Sequence, residues 1–117
     1  LKKGKKITIQ GNGSCVRGFL HVNDTVDAFI KILEKGKIGE IYNIGCNEDM
    51  EISILDLAKK IYKLSNIKSH FQENVTYIED RPFNDQRYYI ENQKLKNLGW
   101  KITKNLEDGL KELIKNK

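Results

Sequence analysis

Hydrophobic and polar residues alternate along this chain with two periods, one typical of strands and one typical of helices. Alternation of apolar and polar residues over Ile7–Gln10 and over Val75–Ile78 predicts two short strands. Branched and aromatic residues predict two further strands, at 19–22 and 40–45. Helical spacing predicts four helices, at 23–35, 54–64, 93–98 and 106–114. Strands and helices therefore alternate along the chain, which predicts a layered α/β fold.

Capping residues stand at the starts of the predicted helices. Asn23 or Asp24 is expected to cap the first helix. Ser53 begins a Ser-x-x-acid sequence, a variant of the capping box, so the second helix is expected to start directly after it. The two remaining helices follow other candidate caps, Asn92 and Asn105.

The length of 117 residues fits one small domain, which we expect to span residues 1–117. A few short strands and helices form a small core, and size alone leaves open whether a neighbouring domain completes it. The chain begins with Leu1, and Met50 is its only methionine. We therefore expect it to be a piece of a longer protein.

Composition excludes several classes of protein. With 38% apolar and 32% charged residues, the chain is too apolar for a disordered tail and ordinary for a globular domain. No apolar run approaches the roughly 20 residues of a membrane helix, and the basic start lacks the apolar core of a secretory signal. Only Cys15 and Cys46 are present, which favours a reducing compartment over a disulfide scaffold. We expect a cytoplasmic protein without a membrane partner.

The net charge of +5 permits nucleic-acid binding without indicating it. The lysines are spread over both ends of the chain and form no stripe interleaved with aromatic residues. We therefore expect no nucleic-acid partner.

The motifs of complete enzymes are missing. No Gly-x-Gly-x-x-Gly follows a strand, no Tyr is followed by Lys four positions on, and no Ser stands in Gly-x-Ser-x-Gly. His21 and His70 have no Cys or His partners at metal-binding spacing. We therefore expect no catalytic, cofactor-binding or metal-binding residue in this chain.

Arg17 is the first candidate binding residue. It follows a Gly-Asn-Gly-Ser turn, where small residues let backbone amides and a guanidinium approach a ligand closely. A planar guanidinium binds a phosphate through two parallel hydrogen bonds. The alternative is an exposed arginine at a hairpin.

The segment 80–88 is the second candidate, since it holds two arginines, two aspartates and two aromatic residues directly after a predicted strand. Ligand loops of α/β folds lie at such positions. Arg81 is a candidate anion ligand, and Asn84 could read a hydroxyl or an amide edge. The alternative is a surface loop whose charges pair with one another. Glu51 has the simpler interpretation of a solvated acid near a helix start.

Four segments carry a resemblance to a known family. They are GNGSCVRGFLHVND at 11–24, GEIYNIG at 39–45, DRPFNDQRY at 80–88 and LGW at 98–100. In this order they resemble the C-terminal portion of the nucleoside-diphosphate-glucose 4,6-dehydratases, within the extended short-chain dehydrogenase/reductase superfamily. The first two segments are shared by many extended nucleotide-sugar enzymes, and the last two are more specific to the dehydratases.

The resemblance implies a fold and an activity for the longer protein. Such enzymes convert dTDP-glucose or UDP-glucose to the 4-keto-6-deoxy sugar, with NAD taking a hydride from C4 and returning it at C6. The Rossmann domain, the Tyr/Lys pair and the acidic residues of the elimination would precede this sequence. This chain would then be the small α/β domain that holds the nucleoside diphosphate. The full-length enzyme is expected to be a homodimer.

The resemblance also implies individual roles. Arg17 matches the arginine that grips the diphosphate, and Arg81 matches one that reaches the same phosphate and ribose region. Thr8 and Gln10 match strand positions beside the nucleobase. The further candidate substrate ligands, from the loop and from the start of the second long helix, are Asn84 and Glu51.

The base and the reaction stay open at this stage. Phe83 with Asn84 looks more like plant-type enzymes that use UDP-glucose, whereas Glu51 and its neighbours look more like a eukaryotic branch named as dTDP-glucose enzymes. One alternative is an epimerase or reductase acting on another nucleotide sugar. Another is a non-catalytic basic binding module.

Overall fold

The chain folds into two compact units, each assembled from segments that are distant in the sequence. The computed structural model describes residues 1–87 and 89–116. The first unit comprises Leu1–Arg17, Ile52–Tyr88 and Leu110–Lys117, and the second comprises Gly18–Glu51 and Tyr89–Gly109. Short strands and helices alternate along the chain, so the α/β prediction is confirmed.

The first unit contains a parallel pair of strands. Strand β1 (Ile7–Gln10) pairs with strand β4 (Val75–Ile78) in parallel, and both strands have the predicted bounds. Along β1, Ile9 is buried while Thr8 and Gln10 are exposed, as the alternation of side chains across a strand requires.

Helix α2 (Ile54–Leu64) completes the core of the first unit. The Ser53 hydroxyl oxygen accepts a hydrogen bond from the Asp56 amide at 3.1 Å, so the predicted cap is confirmed. Ala58 of this helix is buried with Ile9 and Val75, and partly buried apolar side chains pack around these three. The Tyr62 ring contacts the Phe71 ring edge-on, with centroids 5.6 Å apart.

In the second unit, helix α1 (Val22–Lys35) begins before the predicted cap. The Nδ1 atom of His21 accepts a hydrogen bond from the Asn23 amide at 3.1 Å, so His21 is the N-cap. The prediction of Asn23 or Asp24 as the cap is wrong, because Asp24 lies inside the first turn and its side chain is fully buried. Its carboxylate accepts hydrogen bonds from Thr103 and Lys104 instead.

The core of the second unit lies around Trp100. Ala28, Leu95 and Trp100 are buried together, and Leu95 comes from the short helix α3 (Gln93–Lys96). Asn92 stands at the N-cap position of α3 but makes no capping bond, because its amide donates to the Gly45 carbonyl at 2.8 Å.

Two predicted strands are absent from the structure. Val22 already belongs to α1, and the strand near it is β2 (Val16–Gly18), which pairs with β3 (Glu51–Ser53). The segment 40–45 forms no strand, because no segment of residues 1–87 or 89–116 forms a ladder with it.

Helix α4 (Leu106–Lys115) is the last helix of the described residues. The Asp108 amide donates to the Asn105 side-chain oxygen at 2.8 Å, which confirms the predicted cap. Among the helices described, none combines the length and the apolar character required to cross a bilayer.

Candidate anion-binding site

A glycine turn lies between β1 and Arg17 in the chain. Gly11 and Gly13 both have positive φ, at 59° and 75°. A Cβ atom on Gly13 would lie 2.9 Å from the Leu55 Cβ, and the Gly13 carbonyl accepts from the Leu55 amide at 2.9 Å. Glycine at this position therefore allows the turn to pack closely against α2.

The loop that follows β4 is attached to β2 by hydrogen bonds. The Val16 amide donates to the Gln86 carbonyl at 2.7 Å, and the Gln86 side chain donates to the Ser14 carbonyl at 2.8 Å. Val16 also forms a parallel bridge with Arg87. These contacts hold the loop beside Arg17. Tyr88, the last residue of the 80–88 motif, lies outside the described residues.

Arg17 and Arg81 meet at the side chain of Asn84. The Nη2 atom of each guanidinium donates to the same oxygen, Oδ1 of Asn84, at 2.9 Å. The two nitrogens are therefore separated by at most twice that distance. Arg17 also donates to the carbonyls of Val16 at 2.8 Å and Asp85 at 2.7 Å. Two arginines that are far apart in the sequence thus lie side by side in one unit.

The other end of the Asn84 amide is bound as well. Its Nδ2 atom donates to Oδ1 of Asp80 at 3.0 Å and to the sulfur of Cys15 at 3.3 Å. The Asp80 Oδ1 atom also accepts from the Arg81 amide at 2.8 Å. We name Cys15, Arg17, Asp80, Arg81 and Asn84 the arginine cluster.

Phe83 turns the chain back toward the arginine cluster. It is a non-glycine residue with φ of 59°, and its side chain is fully exposed. The left-handed region costs a residue with a Cβ about 1–2 kcal/mol. This backbone conformation lets the loop return within four residues, so that Asn84 reaches Asp80.

The chemistry of the arginine cluster suits an anion. Arg17 is half-buried and Arg81 is exposed, and each carries a planar fork of N–H donors that matches phosphate oxygens. The cluster offers no nucleophile–base pair of the kind that supports covalent catalysis. Among the described residues, no group of three or more His, Cys, Asp or Glu side chains could hold a metal ion.

The remaining predicted site residues lie elsewhere in the fold. Thr8 and Gln10 belong to the first unit and share the exposed face of β1. Glu51 is the first residue of β3 and belongs to the second unit. Their predicted roles as substrate ligands stay predictions, as do those of Arg17, Arg81 and Asn84.

An apolar groove is a second feature of the first unit. It has a volume of about 620 Å³, and neither arginine of the cluster lines it. Its walls include Ile9, Leu57, Ala58, Ile61 and Leu113. Lys2, Lys3 and Lys5 also line the groove, so it offers ammonium point charges to a phosphate, whereas the arginine cluster offers planar guanidinium forks.

Sequence reasoning missed the parts played by Cys15 and Asp80. Cys15 shows no signal in the sequence, since its contact with Asn84 bridges distant segments. Asp80 does carry one, because an aspartate is a frequent first residue of a turn that its own carboxylate closes.

Two buried groups of the second unit have shifted pKa values. Burial alone would raise the pKa of Asp24, but hydrogen bonds from Thr103 and Lys104 and the nearby His21 hold it below the ordinary value. Burial raises the pKa of the Cys46 thiol, and the charge of Glu51 adds to the shift.

Comparison with known proteins gives a consistent set of relatives. Residues 1–113 match the family described as GDP-mannose 4,6 dehydratase. The trifunctional UDP-glucose 4,6-dehydratase/UDP-4-keto-6-deoxy-D-glucose 3,5-epimerase/UDP-4-keto-L-rhamnose-reductase of Arabidopsis thaliana is 43% identical over 111 residues. That alignment covers 95% of this chain and 16% of the plant protein. The dTDP-D-glucose 4,6-dehydratase of Bos taurus is 42% identical over 117 residues, covering 97% of this chain and 32% of its own length.

A solved structure supports the same relationship. The crystal structure of dTDP-glucose 4,6-dehydratase from Bacillus anthracis in complex with NAD has a TM-score of 0.85 at 34% sequence identity. The match covers 97% of this chain and 35% of that one. The chain thus spans about a third, or less, of the length of these relatives. The similarity to nucleoside-diphosphate-glucose 4,6-dehydratases that the motifs predict is confirmed.

Proposed function

Because the chain belongs to the GDP-mannose 4,6 dehydratase family, we propose that it binds the nucleoside-diphosphate part of dTDP-glucose or UDP-glucose. The complete enzyme would carry out NAD-dependent 4,6-dehydration to the 4-keto-6-deoxy sugar. Both bases are proposed because the plant relative is named for UDP-glucose and the bovine relative for dTDP-glucose, at nearly equal identity.

One observation carries this proposal: Arg17 and Arg81 donate to a single oxygen of Asn84. Two adjacent guanidiniums place two positive charges side by side, which suits a pyrophosphate, whose two phosphate groups are likewise adjacent and negatively charged. Thr8, Gln10 and Glu51 are proposed to lie around the rest of the nucleotide, on the resemblance alone. Residues 1–117 would then act as one nucleotide-sugar-binding domain.

The proposed role of the arginine cluster is to anchor the substrate. Phosphate contacts are remote from C4, C5 and C6 of the sugar, where the bonds change. Binding energy gained there orients the sugar and offsets the entropy of holding it in a reactive position. The cluster would therefore affect substrate affinity more than proton transfer.

The cofactor is proposed to bind outside these residues. NAD would supply the hydride acceptor for the oxidation at C4. No Gly-x-Gly-x-x-Gly sequence occurs among the 117 residues, so this chain offers no dinucleotide fingerprint. The homodimeric state that the resemblance implies and the cytoplasmic location that the composition implies stay predictions.

Calorimetric titration with UDP and dTDP tests the proposal. Arg17→Ala should weaken binding of the preferred nucleotide by about 1.5–3 kcal/mol, roughly ten- to hundredfold in Kd, because a charge-assisted pair is lost. Arg17→Lys should lose much of that affinity too, since an ammonium has no planar fork. Lys59→Ala, which removes an exposed positive charge from α2, is the matched control and should bind like the unaltered protein.

An oligonucleotide titrated in parallel separates the rival function. Binding of the oligonucleotide without binding of either nucleoside diphosphate would contradict the proposal and favour a basic nucleic-acid module. Equal affinity of the Arg17→Ala and Lys59→Ala variants for the preferred nucleotide would remove the assignment of the anion site.

A further inference from the structure

The carboxamide of Asn84 is engaged on both sides. Its oxygen accepts from the guanidiniums of Arg17 and Arg81, and its nitrogen donates to Asp80 and Cys15. An amide oxygen has two lone pairs and an amide nitrogen has two hydrogens. The four contacts therefore match the full bonding capacity of this side chain.

The orientation of the amide is fixed by the chemistry of its neighbours. A flipped amide would place its NH2 group against two guanidiniums, which are donors only, and its oxygen against the Asp80 carboxylate, which accepts only. Asp80 thus directs the oxygen of Asn84 toward the arginines. The Arg81 amide bound to the same Asp80 oxygen ties this orientation to the loop backbone.

Electrostatics explain why a neutral acceptor is useful here. The Nη2 atoms of Arg17 and Arg81 each lie 2.9 Å from the same oxygen, so the two positive charges are close enough to repel each other. An oxygen that accepts from both guanidiniums offsets part of that repulsion. A carboxylate at this position would do so more strongly, but it would also cancel positive charge that an anionic ligand needs. An amide oxygen aligns the two arginines and leaves their charge intact.

We propose that Asn84 is a positioning residue, whose amide holds the Arg17 and Arg81 guanidiniums side by side for the two phosphates of a nucleoside diphosphate. It acts on the ligand through the arginines and not by reading a hydroxyl or a base edge. This inference rests on the proposed function of the arginine cluster. Asp80 supports Asn84 from the opposite side.

A double-mutant cycle on the complete protein tests the inference, with UDP or dTDP, whichever binds more tightly, as the probe. Asn84→Ala should weaken binding about tenfold, as expected when an aligned charged donor is released. In the Arg17→Ala background the same change should weaken binding less than about threefold, because one of the two arginines it positions is already gone. A direct contact between Asn84 and the ligand would instead give the same factor in both backgrounds.

Asn84→Asp keeps the shape of the side chain but replaces the Nδ2 donor that faces Asp80 with a carboxylate oxygen. Its carboxylate should pair with both guanidiniums and repel the phosphates, so binding should be weaker than in Asn84→Ala. Asn97→Asp makes the same charge change outside the cluster and is the control. Thermal unfolding of each variant shows whether the fold is retained.

The outcomes distinguish the positioning role of Asn84 from the proposed binding of a nucleoside diphosphate. Suppose that Arg17→Ala loses affinity and that Asn84→Ala weakens binding by the same factor in both backgrounds. That result would overturn the positioning role of Asn84 but would still support the anion site. Wild-type affinity of Asn84→Asp would also overturn the positioning role. An unaltered protein that binds neither nucleotide, or an Arg17→Ala variant that binds as well as the unaltered protein, would overturn the proposed function and the inference together.

Discussion

The two units of this chain place their charged side chains differently. The first unit buries Ile9 and Val75, and of its paired arginines Arg17 is half-buried and Arg81 is exposed. The second unit buries the carboxylate of Asp24 completely, while large apolar side chains of α1 are exposed. The exposed side chains of α1 are Val22, Val26, Phe29, Ile30 and Leu33.

The contrast shows that a charged side chain can serve two purposes, depending on whether it is buried or exposed. A buried charge needs a full set of partners, and Asp24 has them in Thr103 and Lys104. A charge at the surface costs little to keep and stays available to a ligand. Asp24 should therefore determine stability, whereas Arg81 should determine binding.

The largest expected effect is on the Asp24 side of this comparison. Asp24→Ala removes the acceptor of the Thr103 amide, the Thr103 hydroxyl and the Lys104 amide, leaving donors without their partner. We expect the free energy of unfolding to fall by about 3 kcal/mol. Asp27→Ala, at an exposed position of α1, should change it by less than about 0.5 kcal/mol. Equal stabilities of the two variants in urea would break the comparison.

The pH dependence of the free energy of unfolding is a second test of the contribution of Asp24 to stability. Its pKa is lowered in the folded chain, so the unfolded chain takes up the proton first as the pH falls below about 5. The free energy of unfolding should therefore fall with pH until the folded carboxyl itself titrates. Asp24→Ala should show a shallower slope over this range in urea titrations at several pH values.

Local features of the first unit could be predicted from sequence. Strands β1 and β4 follow from the alternation of apolar and polar residues, and the Ser53 cap follows from its spacing to Asp56. Each of these signals lies within a few neighbouring residues. The pairing of Arg17 with Arg81 has no such local signal, and only the resemblance to known enzymes suggested that they share one ligand.

The second unit was harder to predict because its decisive contacts are not local. Capping preferences favour Asn23 or Asp24, but long-range bonds draw Asp24 inward and leave the cap to His21. The segment 40–45 has the composition of a strand, yet a strand also requires a partner, which composition does not reveal.

An effect of intermediate size is expected at Phe83, next to the arginine cluster. Phe83→Gly relieves a left-handed backbone conformation and loses no buried surface, since the side chain is fully exposed. The free energy of unfolding should rise by about 1 kcal/mol. Phe83→Ala keeps the Cβ and should show no such gain. If alanine and glycine stabilise equally, the strain does not reside in the backbone.

The smallest effect is expected for the stability of Arg81→Ala. This variant tests whether an exposed charge of the first unit affects binding without affecting stability. Arg81 is exposed, and Asn84 keeps its bond from Arg17 when Arg81 is removed. The free energy of unfolding should therefore change by less than about 0.5 kcal/mol, while affinity for the preferred nucleoside diphosphate falls. Urea unfolding and calorimetry on the same protein sample measure the two quantities. A loss of stability as large as that of Asp24→Ala would show that surface charge in the first unit supports the fold, and the contrast between the two units would then disappear.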